Sequence, residues 1–312
     1  FISAPESEKA QLPTYDEVAK EFNAIYSSDL SAWVDNVKTE PLIEKLPTPG
    51  TVKSEAKGKQ FGTQEWRLSN GVKVIVKPTT FKDDEIMMSA WAPGGVSLAA
   101  DADVYSAQLA GQIVAMSGLG NFDAVEMQKL TAGKQASASA DLGSNYAVVD
   151  GQSSSKVDEL ELMLQQVHLL FTAPRFDEKA FNTLMGQLRT VYTNQENDPN
   201  TQFSRRLRNA MTDGALRAMP LSLENLDKVN LAKAKELYMQ QFANARNFTF
   251  VFVGNVNLEQ LKNLVNLYIG SLPAGNELKW RDDGVRFPTK PRKVEFPVKM
   301  ETPKVRYAKV YN

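Results

Sequence analysis

The run Phe248-Thr249-Phe250-Val251-Phe252-Val253-Gly254 constrains the chain more than any other segment. It alternates aromatic and β-branched side chains with a single polar interruption, the pattern of a strand buried inside a sheet. A central strand needs neighbours on both edges, so earlier segments must supply them. Five candidates precede it. Trp66-Arg67-Leu68-Ser69 and Val72-Lys73-Val74-Ile75-Val76-Lys77 flank Asn70-Gly71, a pair that tolerates positive φ and marks a hairpin. Glu85 to Trp91 reads as a strand stopped by Pro93-Gly94-Gly95, and Ala136–Ala140 with Tyr146–Gly151 reads as a strand pair.

Helical periods fill the intervals. Val104–Met116 closes at Gly118–Gly120, and a short helix spans Asp123–Leu130. The segment 157–171 is apolar around much of its circumference, which predicts a buried helix. Further helices are expected at 177–195, 201–212 and 223–242, and Asn257, with Gln260 three residues on, caps a helix running to Tyr268 that Gly270 ends. This order, without strict βαβ alternation, predicts an α+β fold with a mainly antiparallel sheet covered by helices. Ahead of it, residues 1–60 are polar and proline-punctuated, with one weak helical period at Tyr15, Val18, Ala19, Phe22 and Ile25. The expected organisation is a linker at 1–60, a compact domain at 61–276, a second linker at 277–299 and, at 300–312, the first strand of a further domain.

The 312 residues carry 36 basic and 37 acidic side chains, a balance that gives no reason to expect nucleic acid or anionic lipid as a partner. No stretch is apolar enough to span a bilayer. With no cysteine, thiolate zinc sites, iron–sulfur clusters and cysteine nucleophiles are excluded. With one histidine, His168, a two-histidine metal site is excluded too.

Taken in order, Trp66-x-Leu68-Ser69-Asn70-Gly71-Val72-x-Val74, the strand leading to Pro93-Gly94-Gly95, and Thr249–Asn255 followed by the helix ending Gly270-Ser271-Leu272-Pro273 resemble one repeat of the pitrilysin/insulinase (inverzincin) zinc peptidases. The resemblance covers about 62–275 and implies the metallohydrolase domain fold shared with mitochondrial processing peptidase and LuxS. In active members the helix after the Gly-Gly strand carries His-x-x-Glu-His, two zinc ligands one turn apart and a glutamate that takes a proton from the bound water. The matching helix here places Gln108 and Gln112 at the histidine positions and Gly111 at the glutamate position. A third ligand, a glutamate in the family, maps near Gly186-Gln187-Leu188-Arg189, where no carboxylate occurs between Lys179 and Gln195. Glutamine is a poor match for imidazole on zinc and glycine offers no base.

The resemblance therefore implies the non-catalytic second-half repeat of a two-half zinc peptidase. Catalytic, cofactor and metal residues are none in this chain. Zinc is expected in the other half, and the expected partners are that half, or a homologous zinc-bearing subunit, and a peptide substrate. A bacterial periplasm or envelope address follows only at the level of the family. The alternative is a metal-free structural or binding subunit of the same fold, like respiratory-complex core proteins, or one that activates a separate zinc-bearing chain.

Other candidates have plainer readings. His168, among Val167, Leu169, Leu170 and Phe171, is expected to be a hydrogen-bonded core residue. Arg205, Arg206 and Arg208, with Arg217 nearby, are expected to form a solvated face. Asp83-Asp84-Glu85 and Glu159-x-Glu161 are expected to be solvated or to favour a helix start. Gly118-Leu119-Gly120 follows a helix, whereas a phosphate loop follows a strand.

Overall fold

The computed structural model describes residues 12–31, 38–297 and 302–309, and the chain divides into two units, Phe1–Val37 and Lys38–Asn312. The first contains helix α1 (Tyr15–Tyr26), started by a capping box in which Thr14 and Glu17 satisfy each other's backbone amides. None of its residues is buried, and Phe22 stacks near Tyr26 with ring centroids 5.5 Å apart.

The second unit is built on a seven-stranded sheet: β1 (Val52–Lys57), β2 (Gln64–Leu68), β3 (Lys73–Pro78), β4 (Ile86–Pro93), β5 (Ala136–Leu142), β6 (Tyr146–Ser153) and β7 (Thr249–Gly254). Their spatial order is β1-β2-β3-β7-β4-β6-β5, and only β3 with β7 is parallel. The apolar run thus lies at the centre, with Phe250 opposite Val74 on one side and Ala90 on the other. Asn70-Gly71 makes the β2–β3 turn, with Gly71 at φ 87° and the Asn70 side chain tied to the carbonyls of Ile269 and Leu272 at 2.8 and 3.1 Å.

The helices are α2 (Val104–Ser117), α3 (Ala124–Thr131), α4 (Val157–Thr172), α5 (Glu178–Glu196), α6 (Pro199–Met211), α7 (Leu223–Leu226), α8 (Leu231–Phe242) and α9 (Leu258–Tyr268). On each inner strand alternate residues are buried beneath them: Ile86, Met88, Ala90 and Ala92 on β4, Phe250 and Phe252 on β7. An aromatic cluster fills the space between. Phe171 meets Phe242, Phe248 and Phe250 with centroids 5.4, 5.0 and 6.1 Å apart, and Tyr238 lies 4.3 Å from Phe242.

Three expectations change. The sheet starts at Val52, inside the segment assigned to a linker, and Leu42 is already buried in the core. The strand shows no apolar alternation because Lys53 to Lys57 are exposed; pairing with β2 defines it. The helix expected at 223–242 breaks in two, because Asn230 starts a new helix by accepting from the Lys233 amide at 3.0 Å. Residues 302–309 contain no strand: Val305 and Tyr307 stand exposed with no neighbouring ladder, and 300, 301 and 310–312 lie outside the described residues.

Candidate functional site

Helix α2 holds the three positions that matter, and its surroundings decide what they can do. The loop leading into it, from Pro93 to Asp103, is clamped from several directions. Gly94 and Gly95 adopt φ 130° and 63°, conformations that suit glycine. The buried Gln241 accepts from the Gly95 amide at 2.9 Å and donates to the Pro93 carbonyl at 3.3 Å. The Val96 and Ser97 amides donate to the carbonyls of Gly143 and Ser144.

Arg217 closes the clamp. Its guanidinium donates to the Val96 and Ala99 carbonyls at 3.1 and 2.6 Å and to Asp101 at 3.0 Å, and its side chain is only 7% exposed. The expected solvated face is therefore corrected at this residue. The other arginines of the cluster have partners as well: Arg205 pairs with Glu196 at 3.3 Å, Arg206 lies 4.3 Å from the Phe296 ring centroid, and Arg208 donates to the Ala218 carbonyl at 3.4 Å.

Along α2 itself, Gln108 is half-buried and Gln112 exposed, while Gly111 is buried. The helix packs on β5, α5 and α8. A Cβ on Gly111 would stand 2.3 Å from the Ala140 carbonyl oxygen and 2.8 Å from Asp141 Oδ1. The helix and the edge strand touch through the absence of a side chain, so the position matched to a catalytic glutamate is filled by β5 backbone. Asp141 keeps an accessible surface, yet crowding by neighbouring atoms lifts its carboxyl above the usual range, against a 2.8 Å hydrogen bond from the Leu142 amide. One carboxylate beside two glutamines and a glycine is not a zinc donor set.

The third ligand position lies on α5, where Gly186 and Gln187 are exposed, Leu188 is half-buried, and Arg189 pairs with Asp227 at 2.5 Å. Among the described residues no group of three or more histidine, cysteine, aspartate or glutamate side chains could hold a metal ion.

The remaining candidates are structural. His168 is buried and its Nδ1 lies 2.9 Å from the Tyr268 carbonyl, which can only accept, so Nδ1 carries the proton. Burial holds this imidazole below its usual value, with the Tyr268 hydrogen bond opposing. Glu161 accepts from the Tyr268 hydroxyl at 2.7 Å, and burial chiefly pushes that phenol up to about 12. Glu159, expected to be solvated, has a side chain only 7% exposed and accepts from the Gln135 amide at 3.1 Å. The amides of Gly118, Leu119 and Gly120 donate to the carbonyls of Val114, Phe122 and Ala173 and so are engaged.

Sequence reasoning missed Gln241 and the role of Gly111. Gln241 gives no local signal. Glycine in the middle of a helix, which costs about 1 kcal/mol against alanine, was the available sign of a close approach at 111.

Several known proteins are similar to parts of this chain. Residues 228–310 match the family described as "Peptidase M16 inactive domain". A zinc protease PQQL-like protein of Arabidopsis thaliana is 25% identical over 245 residues, covering 78% of this chain and 23% of its own length. The crystal structure of the periplasmic protease PqqL from Escherichia coli superposes with a TM-score of 0.67 at 16% identity, covering 89% of this chain and 31% of that one. The peptidase M16 inactive domain from Pseudomonas fluorescens gives 0.59 at 18% identity, covering 70% and 53%. This chain thus spans less than a third of the length of the first two, and among the described residues no helix is long and apolar enough to cross a membrane. In the order of its elements and in its fold the chain is similar to one repeat of the pitrilysin/insulinase-like (inverzincin) peptidases, the inactive-domain match lies in residues 228–310, and its sequence contains no His-x-x-Glu-His.

Proposed function

We propose that this chain is the non-catalytic part of a two-half zinc metallopeptidase, walling the chamber in which a zinc-bearing half hydrolyses peptides. The sheet from Val52 to Gly254 with its helices is the inactive peptidase domain, residues 1–37 are a separate unit that connects it to the other half, and 277–299 lead on from it. The observation that carries this reading is the seating of Gly111 against Ala140, which gives the metal-helix position a packing role in place of a chemical one. Zinc would be held by the other half, where it would supply Lewis-acid chemistry for peptide hydrolysis. The contribution of this chain is to hold substrate and exclude bulk water.

Its two sheet edges differ in what they offer an extended peptide. At β5 the Gln166 side chain already donates to the Ala136 carbonyl at 3.1 Å and accepts from the Ala138 amide at 3.3 Å, imitating a neighbouring strand. Strand β1 forms the opposite edge, with Lys53 to Lys57 exposed, so strand addition is favoured there.

The test is peptide cleavage by the full-length protein, by this 312-residue segment alone, and by both after chelation. The expected result is chelator-sensitive turnover by the full-length protein and none by the segment. Turnover by the segment would refute the reading. Lack of turnover by the full-length protein would favour a metal-free structural or binding subunit.

A further inference from the structure

The segment after α9 was expected to be a linker, yet it is fastened to the body at three stations. At the first, Asn244 accepts from the Gly275 amide at 2.8 Å and donates to the Asn276 carbonyl, while Asn247 accepts from the Leu278 amide at 3.2 Å. At the second, the Arg281 amide donates to Ser97 Oγ at 3.0 Å and its guanidinium to the Ala99 carbonyl at 2.6 Å, the same oxygen that Arg217 holds. At the third, Phe296 lies 6.2 Å from Phe203 of α6 with the Arg206 guanidinium over its other neighbourhood at 4.3 Å, and Arg292 pairs with Asp213 just beyond that helix.

Besides this station, α6 is held by Arg205 on Glu196, Arg208 on the Ala218 carbonyl and Lys304 on Asn200. None of the thirteen residues of α6 is buried, and its side chains on the inner face, Phe203, Leu207, Ala210 and Met211, are only half-covered. It has its own start signals, Asp198 accepting from the Thr201 amide at 2.7 Å and Pro199 in the first turn. A helix of this length is nonetheless marginal in water without a packed face. The aromatic and cation–π contacts of Phe296 supply part of that face.

We propose that residues 275–297 form a belt that orders α6: the distal station, Phe296 on Phe203 and Arg206, couples the two so that belt and helix become ordered or disordered together, while the first two stations stay fixed to the body. The belt is therefore a conditional connection. Docked, it sets the direction in which the chain leaves the domain. Released at its distal station, it becomes a tether of the residues beyond Arg281 and α6 loses helical order.

Hydrogen exchange on the full-length protein tests this, comparing wild type with Phe296→Ala, with Arg206→Gln and with the exposed control Val294→Ser. Expected for Phe296→Ala is about tenfold faster exchange across 199–211, with β4, β7 and 275–281 unchanged. Arg206→Gln should give a smaller effect over 199–211, and Val294→Ser none. Protection of β4 and β7 reports that the body remains folded, so a misfolded variant is recognised directly. The proposal is overturned if 199–211 keeps its wild-type protection in Phe296→Ala.

Discussion

Helices α2 and α6 are of nearly equal length, 14 and 13 residues, yet ten residues of α2 are buried and none of α6. One helix is built into the body and fixed by its own side chains. The other is held from outside by a segment distant in sequence. The contrast shows what fixes α2: packing against β5, closest at Gly111, and against α8, together with the clamp around residues 93–103.

Mutations that break the body should therefore cost far more than mutations at its margin. The largest effect is expected for Phe171→Ala, which removes the ring that Phe242, Phe248 and Phe250 share; thermal or urea unfolding should report a loss of about 4 kcal/mol. Next comes Gly111→Glu, the substitution that restores the family's base. Because its Cβ meets Ala140 backbone at 2.3 Å, α2 must move off β5, and a loss of about 3 kcal/mol is expected with no gain in bound zinc by elemental analysis. Retention of wild-type stability by that variant would remove the packing argument for Gly111.

Arg217→Ala should cost about 2 kcal/mol, since it strips donors from the Val96 and Ala99 carbonyls. Exchange should quicken at the start of α2 and leave α6 unaffected, which sharpens the separation of the two regions. For His168 the sign follows from its depressed folded value. The unfolded state binds more protons, so its contribution is fully present above pH 6.5 and is lost as pH falls below that. The melting temperature should decline over that acid interval, and His168→Gln should flatten the decline. The smallest effect is expected at Leu207→Ala on α6, below about 1 kcal/mol in global unfolding, because that side chain is only half-covered.

Much of the body could be read from local pattern. The Asn70-Gly71 turn, the apolar run 249–254 and the Asn257 cap each carry their own signal, and each element formed where that signal lies. β1 could not be read, since Lys53-Ser54-Glu55-Ala56-Lys57 has the composition of a loop and becomes a strand only by pairing with β2. The belt was hidden for a similar reason: its anchors are the amides of Gly275, Leu278 and Arg281, the Asn276 carbonyl, and the side chains of Arg281, Arg292 and Phe296, contacts that leave no periodicity. At α2 the sequence shows Gln108, Gly111 and Gln112 where the resemblance places histidine and glutamate. It does not show the proximity of Gly111 to Ala140, which is a property of the assembled sheet and helix.

The single parallel pairing carries a consequence for how the protein is made. β3 ends at Pro78 and its partner β7 begins at Thr249, so during synthesis the first hairpin waits for most of the chain before it meets the strand beside it. β4, β5 and β6 with α2 and α4 are complete well earlier, and loop closure favours such nearer pairings first. Until β7 arrives, two separate pieces of sheet stand with open edges, and the apolar run that fills the gap between them is the last strand of this sheet to leave the ribosome.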